Sequence, residues 1–165
     1  MGDRSRSTTK EFFVSDEQAA FSIEKIYVKD LSLEVPGAPQ VFLSGDTPQL
    51  EVQLGQGMTP AAEGLFEVTL SITVTARAGD KTLFLVEAVQ AGIFRIVGIP
   101  DEEMAPVFGV VCPNVLFPYA RETISDTVTR AGFPPVLLAP VNFDAMFQQQ
   151  LAQAADQAPK IQIAH

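Results

Sequence analysis

The sequence has no tryptophan, one cysteine and one histidine, and that histidine, His165, is the last residue. Imidazole-based nucleophilic catalysis needs a histidine beside a serine or cysteine, so no internal Ser-His or Cys-His pair is available within one chain. A lone cysteine forms no internal disulfide, and without histidines it supplies no tetrahedral zinc site. Cys112 is therefore expected to be a small buried hydrophobe. The sequence also lacks an Asn-x-Ser/Thr acceptor, a phosphate-binding glycine loop, EF-hand spacing and an apolar signal-peptide core near the start. Basic residues are scarce as well: 11 Lys and Arg stand against 20 Asp and Glu, for a net charge of -9. Such a balance excludes a nucleic-acid surface and disfavours an anionic leaflet, while it suits an electropositive partner. The expected placement is the cytoplasm, with no catalytic residue, no metal, no cofactor and no membrane insertion.

What is present is apolar bulk: 47% hydrophobic residues, 12 of them Phe, enough for one domain with a sizeable core. Residues 1–20 are polar around the island Phe12-Phe13-Val14 and are expected to form a flexible arm. "FSIEKIYVKDLSLEV" (21–35) has the period of a strand, though a faulty one. Its odd positions carry Phe21, Ile23, Tyr27, Leu31, Leu33 and Val35, broken by Lys25 and Lys29. Its even positions are polar, with Asp30 and Glu34 together on the wet side, broken by Ile26 and Val28. A proline-bearing loop follows. "QLEVQL" (49–54) is a second strand and "GQGMTPAAEG" a polar turn region. "LFEVTLSITVTAR" (65–77) alternates cleanly, so one sheet face is wet and the sheet antiparallel. Gly79-Asp80 is a hairpin turn into a fourth strand, in which Gly92 marks a bulge or bend.

The remainder is helical. "DEEMAPVFGVV" starts a short helix whose Glu102-Glu103 pair is a solvated first turn rather than an acid-base pair. A second helix runs from Pro118 to a cap at Gly132, striped with Ala120, Ile124, Val128 and Ala131. A third opens at the N-cap Asn142 and carries Phe143, Met146, Phe147, Leu151 and Ala154 on one face. Residues 158–165 are expected to be a flexible tail. Between Lys29 and Arg77 there is no basic residue, while Asp30, Glu34, Asp46, Glu51, Glu63 and Glu67 fall in that interval. Glu87 joins Asp30 and Glu34 if their strands are neighbours. That charge layout fits either an ordinary solvated face or a docking site for a basic partner.

Four separated segments, "FSIEKIYVKDLSLEVPGAPQVF", "GIFRIVGI", "CPNVLFPYARE" and "LAPVNFDAMF", resemble the bacterial SecB protein-export chaperone family, in order and across residues 21–157. The resemblance implies an α+β fold, a four-stranded antiparallel sheet followed by two helices. It implies a homotetramer built as a dimer of dimers, working without ATP or cofactor. Its function would be to hold secretory precursors unfolded and deliver them to the SecA translocation motor. The family's acidic docking patch for SecA maps onto Asp30, Glu34, Leu85 and Glu87. Its grooves for unfolded clients map onto Phe42, Leu50, Val52, Leu54, Met146, Phe147 and Leu151. "CPNVLFPYARE" would lead into a helix covered by other subunits, with Arg121 and Glu122 paired to each other or across an interface. The family's connecting loop often carries a Trp that this chain lacks. Rival readings are a SecB-like holdase serving another system, such as a toxin-antitoxin pair, without SecA, and a small hydrolase or isomerase.

Overall fold

A computed structural model describes residues 18–157. The arm expected over 1–20, with its Phe12-Phe13-Val14 island, lies outside the described residues up to 17. So does the tail over 158–165. Four strands, β1 (Ala20–Glu34), β2 (Gln49–Ala62), β3 (Leu65–Ala78) and β4 (Lys81–Val97), form one antiparallel sheet in the order β1-β4-β3-β2. Two helical rods follow. The first comprises α1 (Asp101–Pro106), a π turn (Val107–Val111) and α2 (Cys112–Arg130); the second is α3 (Phe143–Gln157).

β3 keeps the alternation legible in its sequence. Val68, Leu70, Ile72, Val74 and Ala76 are buried toward the helices, and Thr69, Ser71, Thr73 and Thr75 face the other way. β4 presents Phe84, Val86, Ala88, Gln90, Phe94 and Ile96 to the same core. The rod α2 lies across these two central strands and buries Cys112, Leu116, Phe117, Ala120, Ile124 and Val128, residues that recur every three or four positions. The hairpin between β3 and β4 turns at Gly79-Asp80, as expected. Asn142 caps α3, its Oδ1 accepting from the Ala145 N–H at 3.0 Å.

Three expectations are corrected. First, β1 carries two register shifts, between Ile23 and Lys25 and between Val28 and Asp30. Each extra residue re-phases the strand, so Ile26 and Val28 join Phe21, Ile23, Leu31 and Leu33 on the helix side. Tyr27, expected on the core face, turns outward instead. β4 runs through Gly92 without a shift of register against β3.

Second, "GQGMTPAAEG" is not a turn. Gln56 through Pro60 continue β2 against Leu70 through Phe66, and only Glu63-Gly64 form the reversal. Gly and Pro are admitted because β2 is an edge strand among the described residues, with no partner there on its far side to miss their side chains or N–H.

Third, the first rod is continuous from Asp101 to Arg130, through Pro106, Pro113 and Pro118. "CPNVLFPYARE" therefore lies wholly inside α2 rather than leading into it. The π turn sits between Pro106 and Pro113, where proline rings obstruct the ordinary ladder. There the Cys112 N–H reaches back to the Val107 carbonyl. Arg121 and Glu122 do not pair within the described residues; the Arg121 guanidinium lies 5.6 Å from the Phe117 ring centroid.

Candidate partner-binding surfaces

The outer face of the sheet, away from the helices, divides into two halves of different electrostatics. At one end, the Lys29 ammonium pairs with Glu67, which also accepts from the Tyr27 hydroxyl, and Arg95 pairs with Glu24 at 2.9 Å. The hydrogen bond from Lys29 holds the Glu67 carboxyl below its ordinary range, helped by Tyr27. Partial burial, and then Glu67, push Tyr27 up to about 12. Arg95 likewise lowers Glu24. These opposite charges satisfy one another.

At the other end they do not. Glu34 pairs opposite Leu85, Ser32 opposite Glu87 and Asp30 opposite Val89 along the β1–β4 ladder. Asp30, Glu34, Leu85 and Glu87 therefore share one face, with Glu87 set between the two β1 carboxylates. Thr73 and Thr75 of β3 continue the rows to Gln53 and Glu51 of β2, so Glu51 lies on this face as well. Asp30, Glu34, Glu51 and Glu87 are exposed, and the ion pairs of the described residues use none of them. An unneutralised acidic field of this kind attracts a basic partner and fades with salt.

Among the described residues, the helix side of the sheet is covered only over its middle. Phe21, Ile23, Val28, Leu31 and Leu33 of β1 are 37–48% exposed, and Leu50 and Val52 of β2 are 47% and 43% exposed. Along β2 this bare surface opens into two hollows. One, of about 330 Å³, is lined by Phe42, Leu50, Phe84 and the segment Phe133–Val136. The other, of about 270 Å³, is lined by Val52, Leu54, Phe117 and Leu138–Val141. Phe42 stands on a single 3-10 turn (Gln40–Phe42), its ring 5.1 Å from that of Phe133, which in turn lies 4.8 Å from Phe84. The close seat of Phe42 on Gly132 is available because that helix-capping glycine has φ of +94° and no Cβ.

Phe42, Leu50, Val52 and Leu54 are thus brought together. The α3 residues are not among the lining of these hollows: Met146 packs against the core, Phe147 lies on Gly109 and Leu151 is exposed. The reading from sequence missed the connector "FPPVLLAP", which lines both hollows. Its signal was available, since an apolar, proline-rich stretch between helices can neither join a ladder nor avoid presenting side chains.

Cys112 is fully buried, and burial alone pushes its thiol up to about 12, as suits a packing residue. Among the described residues no helix is long and apolar enough to cross a membrane.

A family model described as preprotein translocase subunit SecB matches residues 14–154. The chain is 61% identical over 139 residues to a protein-export protein SecB from Chromobacterium violaceum, covering 84% of this chain and 93% of the relative. It is 53% identical over 148 residues to one from Dechloromonas aromatica, covering 90% and 97%. Among solved structures it is similar to a Mycobacterium tuberculosis SecB-like chaperone in complex with a ChAD peptide from an antitoxin. There the TM-score is 0.62 and the identity 18%, covering 73% of this chain and 90% of that one. The last likeness concerns the fold.

Proposed function

The chain belongs to the SecB family of protein-export chaperones, and we propose that it works as a cytoplasmic homotetramer, a dimer of dimers, that holds precursors unfolded and delivers them to SecA. The observation that carries this reading is the contrast between its two sheet faces. Among the described residues, one ends in four carboxylates outside any ion pair, Asp30, Glu34, Glu51 and Glu87, and the other leaves apolar side chains bare along both edge strands.

The bare inner face of β1 supports assembly, because partner helices laid over Phe21, Ile23, Val28, Leu31 and Leu33 would complete the core. The hollows along β2, with Phe42, Leu50, Val52 and Leu54, support client binding, and α3 with Met146, Phe147 and Leu151 extends the apolar surface. An extended client covering roughly 300 Å² of that surface gains about 7 kcal/mol before the cost of ordering it. Contact by shape and apolarity imposes no side-chain code, which suits many clients, and several sites on one assembly add avidity. No nucleotide or other cofactor enters this mechanism, and no residue is assigned chemistry. The acidic face, with Leu85 beside Glu87, supplies the docking site for SecA. A holdase serving another system without SecA would need the groove and not this face.

The test is SecA binding by Asp30→Ala/Glu34→Ala, with native mass measured at micromolar concentration with and without an unfolded client. Expected are a tetramer, a client-bound complex without nucleotide, and a loss of SecA affinity of tenfold or more at low salt. A compact monomer that leaves unfolded clients unbound would overturn the chaperone reading. Unchanged SecA affinity would remove the docking assignment.

A further inference from the structure

Gln90 is buried at 3% exposure on the helix side of β4, inside an otherwise apolar layer. Its Nε2 donates to the Tyr27 carbonyl at 3.1 Å, and its Oε1 faces the Thr123 hydroxyl of α2 at 3.2 Å. That hydroxyl is also 3.0 Å from the Tyr119 carbonyl, one turn back in the same helix. One side-chain amide thus ties a central strand to both the edge strand and the helix above it.

The place where it grips β1 is informative. Tyr27 and Val28 immediately precede the second register shift, beyond which Asp30 pairs opposite Val89. Without that extra residue, the alternation set at Tyr27 would carry Leu31 and Leu33 to the outer face. Asp30, Ser32 and Glu34 would then turn toward the helices, since one residue of slip exchanges the two faces of a strand. The acidic face exists because the shift is held, and within one chain β1 pairs only with β4, the strand that carries Gln90. Only an amide meets both demands here: glutamate at this position could accept from Thr123 but would set a carboxylate against the Tyr27 carbonyl.

We propose that Gln90 is a positioning residue for the docking face, fixing the bulge at Lys29 against α2 so that Asp30 and Glu34 stand beside Glu87. The proposal rests on the docking reading above and adds a residue that never touches the partner.

Gln90→Met keeps the volume and removes both hydrogen bonds; Thr123→Val removes only the helix end of the bridge. Amide exchange of residues 27–31 and affinity for purified SecA are measured on the assembled protein. Gln90→Met is expected to quicken exchange at these amides at least tenfold and to weaken SecA binding three- to tenfold at unchanged native mass. Thr123→Val shifts both measurements in the same direction by less. Combined with Asp30→Ala/Glu34→Ala, Gln90→Met is expected to weaken binding by much less than the product of the separate losses, because it acts through those two carboxylates. Unchanged exchange in both variants, or losses that multiply in full, overturns the proposal. Should Gln90→Met lower the native mass, Thr123→Val decides alone, and unchanged exchange there overturns it. If Asp30→Ala/Glu34→Ala binds SecA normally, the docking reading has failed, and exchange at residues 27–31 still decides whether Gln90 holds the register.

Discussion

Phe147 of α3 lies so close over Gly109 of the π turn that a Cβ on that glycine would stand 2.7 Å from the ring's Cδ2. Besides this contact, α3 is anchored by Phe143, which is 1% exposed and sets its ring edge-on to Phe117 at 5.9 Å. Gly109→Ala is accordingly expected to dislodge α3. Helix propensity alone would favour alanine by about 1 kcal/mol, but the displaced aromatic ring outweighs it, for a net loss of about 1–2 kcal/mol. Faster proteolysis within Phe143–Gln157 with the sheet intact checks this. A variant as stable and as resistant as the parent would mean that Phe147 has another seat.

Phe147→Ala separates two roles for the same ring. If α3 contributes to the client surface, client affinity falls while the proposed tetramer persists. Loss of the tetramer instead would mark Phe147 as an assembly residue, and its place on Gly109 makes the measurement of mass indispensable.

Leu50 and Val52 of β2, proposed to line the client groove, make the opposite case. Leu50 and Val52 are already 47% and 43% exposed, so Leu50→Ser and Val52→Ser remove little from the folded core. Their effect on thermal stability is expected to stay near or below about 0.5–1 kcal/mol. Client binding, which would cover the exposed part of each side chain, is expected to weaken by roughly fivefold per substitution, since about 1 kcal/mol of burial is forfeited. Titration with a labelled unfolded polypeptide measures it. Undiminished affinity in the double substitution would move the groove elsewhere.

How far the sequence revealed this molecule depends on which strand is considered. β3 has neighbours on both sides and a core on one face, so its period of two survives intact from Phe66 to Ala76. β1 is an edge strand with two shifts, and its pattern read as an imperfect alternation; Lys25 and Lys29, which broke the odd face, follow those shifts or form them. The second half of β2 was hidden by Gly55, Gly57 and Pro60, whose strand geometry is imposed by pairing to β3 rather than by their own preferences. In the first rod, three prolines suggested a break, and tertiary packing with a π turn overruled them. Asp30 and Glu34 were nevertheless placed together, because both lie beyond the second shift, with three residues between them and no further shift to break the alternation. The hollows were only half legible, for Phe133–Val141 reaches β2 across a distance that no local pattern encodes.

Tyr27 and Glu67 predict two different pH limits. The Tyr27 phenol, raised from 10.0 to about 12 first by burial and then by Glu67, favours the folded state while protonated. Its contribution is whole below pH 10 and disappears as pH rises through about 12. Glu67, lowered by Lys29 and then Tyr27, contributes above its unfolded value of 4.5 and loses that contribution as pH falls below it. With Tyr119→Phe leaving one described tyrosine, ultraviolet titration is expected to show a phenolate midpoint near 12. Glu67→Gln should bring it toward 10. A parent midpoint near 10 would mean that the bridge is open in solution.

The thiol of Cys112 tests the core beneath α2. It is 0% exposed and pushed up to about 12 by burial, so at pH 8 only about one thiol in ten thousand is ionised. A disulfide reagent therefore has neither access nor a nucleophile while the helix stays seated, and labelling must wait for opening. The labelling rate in native buffer is expected to be independent of reagent at high concentration and to rise steeply as urea approaches the unfolding midpoint. Cys112→Ser should be less stable by about 1–3 kcal/mol, because a hydroxyl there would be buried without an assured acceptor. Cys112→Ala, which introduces no polar group, should be the milder change. Full labelling within seconds in native buffer, or a serine variant as stable as the alanine one, would show that this end of α2 is open to water.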